Sequence, residues 1–154
     1  QNLCLRTALK ILKPIHRKRI QNEDSLYQVF YNLPWENYMD VDSTFVIDSV
    51  VNGELFTHSK YASQKAKDGL VDQFRDRYNK RPSVNISLPD LRINLHIQND
   101  ICTISLDSSG TSLHHRGYRT TNNIAPINEV LAAGLIQLSE WKANTDFLDP
   151  MCGS

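Results

Sequence analysis

Two neighbouring stretches alternate apolar and polar residues without a break. Leu91–Gln98 (LRINLHIQ) and Ile101–Asp107 (ICTISLD) flank the pair Asn99-Asp100. A period of two sends successive side chains to opposite faces, and Asn-Asp suits a turn, so the stretch predicts a β-hairpin with one apolar face. The inward set on the first strand is Leu91, Ile93, Leu95 and Ile97. On the second it is either Ile101, Thr103 and Ser105 or the alternate set Cys102, Ile104 and Leu106. His96 alternates with Leu95 and reads as surface polar rather than as a ligand.

The sequence before the hairpin supplies elements to cover that face. Residues 7–15 (TALKILKPI) predict a strand stopped near Pro14, followed by a basic turn at His16–Arg19. Asn22 is placed to cap a helix starting at Glu23, with Glu23 and Asp24 in its first turn, where the helix dipole favours acids. Leu26, Val29, Phe30 and Leu33 give that helix its apolar face, and Pro34 ends it. Trp35 and Tyr38 follow in a short acidic turn, with Trp35 expected as packing.

Residues 43–51 (STFVIDSVV) are β-branched and predict a strand that turns at Asn52-Gly53. A second helix is expected over about 59–78, capped by Ser59. Ala62, Ala66, Leu70, Phe74 and Tyr78 form its stripe, with Val71 beside them. Gly69 sits inside that helix and costs about 1 kcal/mol relative to Ala, which points to close packing or an irregular helix. Alternating strands and helices of this kind form an α/β (α+β sandwich) layer.

Gly110 closes this unit, and 108–125 shows no apolar periodicity. A helix follows over 126–141, with Pro126 in its first turn, Glu129 early, and Val130, Leu131, Ala133, Gly134, Leu135 and Leu138 on a broad apolar face. Phe147-Leu148 reads as a short strand running into Asp149-Pro150-Met151-Cys152-Gly153-Ser154.

The 154 residues carry no net charge, yet the charges are segregated. Residues 1–22 hold six Lys/Arg and no acid, 23–54 hold seven acids and no Lys or Arg, and 60–81 hold seven Lys/Arg against three acids. Two basic segments with an acidic one between them could meet as a patch for a polyanion in a neutral protein. No apolar run approaches the ~20 residues of a membrane span. Cys4, Cys102 and Cys152 are widely spaced and odd in number, which fits a reducing cytoplasm and excludes a disulfide framework. His114 and His115 are adjacent and point apart in an extended segment, so no metal site is expected.

The end of the chain bears the most specific pattern. LDSSGTSLHHRGYR (106–119), API (125–127), NEVLAAGLI (128–136), WK (141–142) and FLDPMCGS (147–154) occur in that order, with LPWENYM (33–39) upstream. Together they resemble the THUMP-containing large-subunit ribosomal RNA guanine-N2 methyltransferases, often labelled N6-adenine-specific DNA methylases. The resemblance covers nearly the whole chain. Where that family has Leu-Lys-Glu after Ala-Pro, this chain has Ile127-Asn128-Glu129, and the family's acceptor loop is absent.

The resemblance implies a THUMP-like mixed sheet with two helices over 1–110, a linker over 111–125, and over 126–154 the first helix and strand of a Rossmann-like methyltransferase domain, truncated. It implies a parent enzyme that transfers a methyl group from S-adenosyl-L-methionine (SAM) to an exocyclic guanine amine. The 154-residue portion alone is expected to be inactive, since most of the cofactor pocket lies elsewhere. Cofactor contacts are implied for Tyr118, Arg119, Pro126, Asp149, Pro150, Met151 and Gly153. No catalytic residue is expected in this portion. RNA of the large ribosomal subunit is the expected partner, with Arg17, Lys18, Arg19, Lys60, Lys65, Lys67, Lys80 and Arg81 as phosphate contacts. The alternatives are a freestanding THUMP module without catalysis and a DNA adenine-N6 methylase.

Overall fold

The computed structural model describes residues 4–110, 112–113 and 127–150. It forms two units by internal contact, one made of residues 12–108 and the other of 1–11 with 109–154.

The first unit runs β1 (Leu12–Arg19), α1 (Glu23–Asn32), a single 3-10 turn at Trp35–Asn37, β2 (Thr44–Asn52), α2 (Ser59–Tyr78), β3 (Ser83–Val84), β4 (Leu91–Gln98) and β5 (Ile101–Asp107). The five strands make one mixed sheet in the order β1-β5-β4-β2-β3. β4 and β5 pair antiparallel, while β2 runs parallel to both β4 and β3. The hairpin is therefore the centre of the sheet. Its tight turn uses Asn99 in the left-handed region, at φ 55°. Asn99 N–H donates to Asn52 O at 2.6 Å, which fixes the neighbouring Asn52-Gly53 turn. A Cβ on Gly53 would stand 2.8 Å from Asn99 Cα, so only glycine fits there.

Of the two inward sets left open for β5, the structure selects Cys102 and Ile104, both fully buried, with Leu106 packed against the same core. They join Ile93, Leu95 and Ile97 of β4, Phe45 and Ile47 of β2, and Leu26, Phe30, Ala62, Ala66, Leu70 and Phe74 of the helices. Burial also pushes the Cys102 thiol up to about 12. Both helices lie on this one face. Asn22 caps α1, its side chain accepting from Ser25 N–H while the Ser25 hydroxyl accepts from Asn22 N–H, so the helix begins where a capping box places it. Trp35 is fully buried, stacks on Phe30 at 5.5 Å and donates its indole N–H to Phe30 O at 2.7 Å.

Gly69 is explained by the seam between α1 and α2. A Cβ there would come within 2.5 Å of Tyr27 O and 3.1 Å of Phe30 Cβ. The missing side chain lets the two backbones touch. Gln73, 2% exposed, then donates to Leu33 O at 2.6 Å and to Tyr31 O, closing carbonyls at the end of α1 that the helix itself leaves open. Further out, Tyr61, Tyr27 and Tyr31 donate to Glu23, Asp72 and Asp76 in turn.

Three local expectations are corrected. The first strand lies at Leu12–Arg19, not 7–15, so the presumed basic turn at His16–Arg19 is strand. Pro14 does not stop it because β1 is an edge strand with a register shift between Pro14 and His16, where a missing N–H breaks no ladder. Lys and Arg suit such an edge, since charge discourages pairing with another chain. Ser59 does not cap α2. His58 holds the cap position without a side-chain bond, and the Ser59 carbonyl instead accepts from Ser49 Oγ at 2.6 Å. Tyr78 leaves the buried stripe and is half-exposed at the end of the helix.

In the second unit, α3 (Glu129–Leu138) is shorter than expected. Asn128 caps it by accepting from Val130 and Leu131 N–H, and Glu140 at φ 56° ends it. None of its residues is buried. Trp141 contacts Phe147 at 5.3 Å and donates to Thr145 O at 2.8 Å. Phe147-Leu148 is not a strand, and Leu148 is 86% exposed. A strand needs a partner ladder, and among the described residues none lies beside it.

Candidate functional site

The sheet register decides where each basic residue of β1 points. Residues directly opposite one another on paired strands share a face. Arg17 pairs with Thr103 and Arg19 with Ile101, whereas Lys18 pairs with buried Cys102. Arg17 and Arg19 therefore belong to the sheet face that carries no helix of this unit, and Lys18 to the helix side. All three are exposed.

The same register extends the helix-free face inward. Arg17, Thr103, His96 and Val50 form one row across four strands, and Arg19, Ile101, Gln98 and Asn52 form the next. This face is mostly polar. Arg19 Nε meets Asp100 at 2.6 Å and Arg92 meets Asp48 at 2.8 Å. Exposed pairs such as Arg19–Asp100 contribute little to stability and exchange readily for a phosphate partner. His96 lies in the middle of a row, half-buried, in agreement with its reading as a polar residue facing away from the core.

The other expected phosphate contacts lie elsewhere. Lys60, Lys65 and Lys67 belong to α2, in the helix layer on the opposite side of the sheet. Lys65 sits 5.9 Å from the centre of the Tyr61 ring, and Lys67 pairs with Asp68 at 3.2 Å. Lys80 and Arg81 lie between α2 and β3, at the far edge of the sheet from β1, with Lys80 on Asp42 at 3.1 Å. The fold brings Arg17 and Arg19 together and distributes the remainder. Reading His16–Arg19 as a turn hid this. The period-two rule for strands, applied to those residues, separates Arg17 and Arg19 from Lys18.

Of the expected cofactor contacts, Tyr118, Arg119, Pro126, Met151 and Gly153 lie outside the described residues. Asp149 and Pro150 follow Phe147-Leu148 and are exposed. Among the described residues no helix is long and apolar enough to cross a membrane.

Comparison with known proteins gives this geometry a family. The THUMP domain family matches residues 21–107, which is the helix-and-sheet unit, and the RMKL-like methyltransferase domain matches residues 116–154. The chain is 40% identical over 158 residues to the ribosomal RNA large subunit methyltransferase K/L of Syntrophotalea carbinolica, covering 99% of this chain and 22% of the relative. It superposes on a predicted N6-adenine-specific DNA methylase from Listeria monocytogenes with a TM-score of 0.83 at 27% identity, covering 99% of this chain and 40% of that one. The structure of SMU.472 complexed with SAH superposes with a TM-score of 0.75 at 27% identity, over 94% and 38% of the two chains. The chain thus spans a fifth to two fifths of the proteins it matches. It belongs to the THUMP-domain family, in the branch where that domain precedes an RMKL-like methyltransferase domain.

Proposed function

We propose that the whole protein is a SAM-dependent methyltransferase acting on large-subunit ribosomal RNA, most simply at the exocyclic amine of a guanine, and that the portion described here is its RNA-holding part. The observation that carries this reading is the order of the two matched domains, a THUMP domain at 21–107 followed by the methyltransferase match at 116–154. The relatives' names support an RNA substrate, and SMU.472 bound to SAH supports SAM as donor. The domain limits proposed are 1–110 and 126–154 around a linker at 111–125, within which the methyltransferase match already begins, at 116.

On this proposal, Arg17 and Arg19 form the principal phosphate contact on the helix-free face, and Lys18 adds to it from the other side of the same sheet edge. Lys60, Lys65 and Lys67 contribute further, weaker contacts, whereas Lys80, held by Asp42, and Arg81 lie at the opposite edge of the sheet and stay outside this interface. Methyl transfer asks mainly for alignment of the sulfonium methyl with a base turned out of its stack. Firm attachment to neighbouring backbone is what an RNA-binding domain can add to that alignment. Asp149, Pro150, Met151 and Gly153, with Tyr118, Arg119 and Pro126, border the cofactor. The enzyme works in the cytoplasm.

The test is methylation of large-subunit ribosomal RNA by the whole protein with labelled SAM, followed by nucleoside analysis. Label in N2-methylguanosine is expected. The name of the Listeria neighbour favours a second reading, methylation of adenine in DNA, and label in N6-methyladenine of a DNA substrate would establish that instead. The 154-residue portion alone is expected to transfer no methyl group, and calorimetry showing micromolar SAM binding to it would overturn that.

A further inference from the structure

The β3 edge of the sheet is built unlike the β1 edge. Val84 is half-exposed, and Ile86 and Leu88 are 76% and 79% exposed. Such exposure on one short stretch is unusual for large apolar residues unless something covers them. The loop is held, not loose. Asn85 N–H donates to Phe45 O at 3.1 Å, and Asn85 Oδ1 accepts from Ser87 and Leu88 N–H, both at 3.1 Å. At its other end Asp90 accepts from Thr44 N–H and Thr44 Oγ1, each at 2.7 Å. The apolar prong is thus presented in one conformation, which lowers the ordering cost of binding.

Beside it, at the start of β2, lies an open cavity of about 610 Å³. Met39, Val41, Phe74 and Tyr78 supply its apolar lining, and Glu36, Asp40, Asp42 and Asp90 its acids, with Glu36 engaged by Arg77. Asp42 is engaged by Lys80. Among the described residues Asp40 and Asp90 meet no cation. The two Thr44 hydrogen bonds hold the Asp90 carboxyl below the usual carboxylate range, so it stays charged. Acids around an apolar, aromatic floor repel a phosphate backbone and attract a cation carried on apolar neighbours.

We propose that the β3 edge, from the Ile86–Leu88 prong to the cavity at Asp40 and Asp90, docks a segment of another protein that carries lysine or arginine among apolar residues. The prong meets the segment's apolar side chains, and the cavity takes a cationic one. The sheet then works at both edges, RNA at β1 and a basic protein segment at β3. This inference does not depend on the methylation reading, because it rests on a different surface and a different ligand.

A fluorescein-labelled peptide of alternating lysine and leucine, eight residues long, serves as the probe, with a glutamate–leucine peptide as control. Fluorescence anisotropy is read against the whole protein at low salt. The parent is expected to bind the lysine peptide and not the glutamate one. Ile86→Ser with Leu88→Ser is expected to weaken binding roughly tenfold, as loss of a hot spot does, and Asp40→Asn to weaken it severalfold. The serine pair sits at exposed positions, so its melting temperature stays at the parent's. Arg17→Ala with Arg19→Ala changes the affinity less than twofold. Equal binding by the serine variant, or equal binding of the glutamate peptide, overturns the proposal. So does ultraviolet crosslinking of ribosomal RNA to residues 84–90, which would make this edge a second RNA surface.

Discussion

The two faces of the sheet divide the work of the THUMP domain. One is buried under α1 and α2, and its positions tolerate almost nothing: Ile93, Leu95, Ile97, Cys102 and Ile104 are fully excluded from solvent. The other carries Arg17, His96, Gln98 and Thr103, none of which is needed to close a core. On the proposed reading, stability and RNA binding are written on alternate residues of the same strands. Substitutions can therefore separate the two, and the comparison fails if they do not.

The largest effect is expected on the covered side, at Gly69. In an ordinary exposed helix Gly→Ala stabilises by about 1 kcal/mol. Here the added Cβ meets backbone, at 2.5 Å from Tyr27 O, and the helices must separate to admit it. Gly69→Ala should destabilise by several kcal/mol, on the order of 3 or more, measured by urea unfolding. A stabilised variant would show that the α1–α2 seam is looser than the structure has it.

Next comes Gln73→Leu, which removes two donations to the end of α1 and leaves the Tyr31 and Leu33 carbonyls without that donor. A loss of about 1–3 kcal/mol is expected, with RNA affinity unchanged when measured well below the midpoint of unfolding. Along the β1 edge the signs reverse. Arg17→Glu, Lys18→Glu and Arg19→Glu together should lower RNA affinity roughly tenfold or more at low salt and flatten its salt dependence, while the urea midpoint barely moves. A gel shift in which the triple variant binds as well as the parent would remove β1 from the interface.

Much of this division was legible in the sequence. The period of two in LRINLHIQ and ICTISLD located the central hairpin, and Asn22 located the start of α1, because strand alternation and capping are local rules. Gly69 also announced close packing by being a glycine in the wrong place. What local rules could not supply was neighbourhood. Pro14 looked like a stop because its tolerance depends on β1 being an edge, and edge position is a property of the whole sheet. The same error hid the split between Arg17, Arg19 and Lys18. Likewise, the lysines of α2 and the arginines of β1 are alike in sequence, yet they lie on opposite sides of the sheet. In the second unit, Phe147-Leu148 has strand composition, but pairing cannot be read from one strand alone. The expected cofactor contacts came through resemblance, since Asp-Pro before a Gly also makes ordinary turns.

The smallest effect tests the helix seam by pH. Burial and the hydrogen bond to Asp72 raise the Tyr27 hydroxyl from its ordinary value to about 12, and the bonds from Tyr31 to Asp76 and from Tyr61 to Glu23 raise those hydroxyls as well. The raised value means that the folded state prefers the neutral phenol. In the unfolded chain tyrosine loses its proton near pH 10, while in the fold Tyr27 keeps it. The stabilisation is therefore complete below pH 10, falls between pH 10 and about 12, and is gone above that. Tyr27→Phe should be less stable than the parent at neutral pH by about 1 kcal/mol, the usual net value of one hydrogen bond. Its stability should also fall less steeply than the parent's from pH 10 upward, so the two curves converge. Urea midpoints measured at pH 8, 10 and 11 would show this. Parallel curves would mean that Asp72 does not hold the Tyr27 proton.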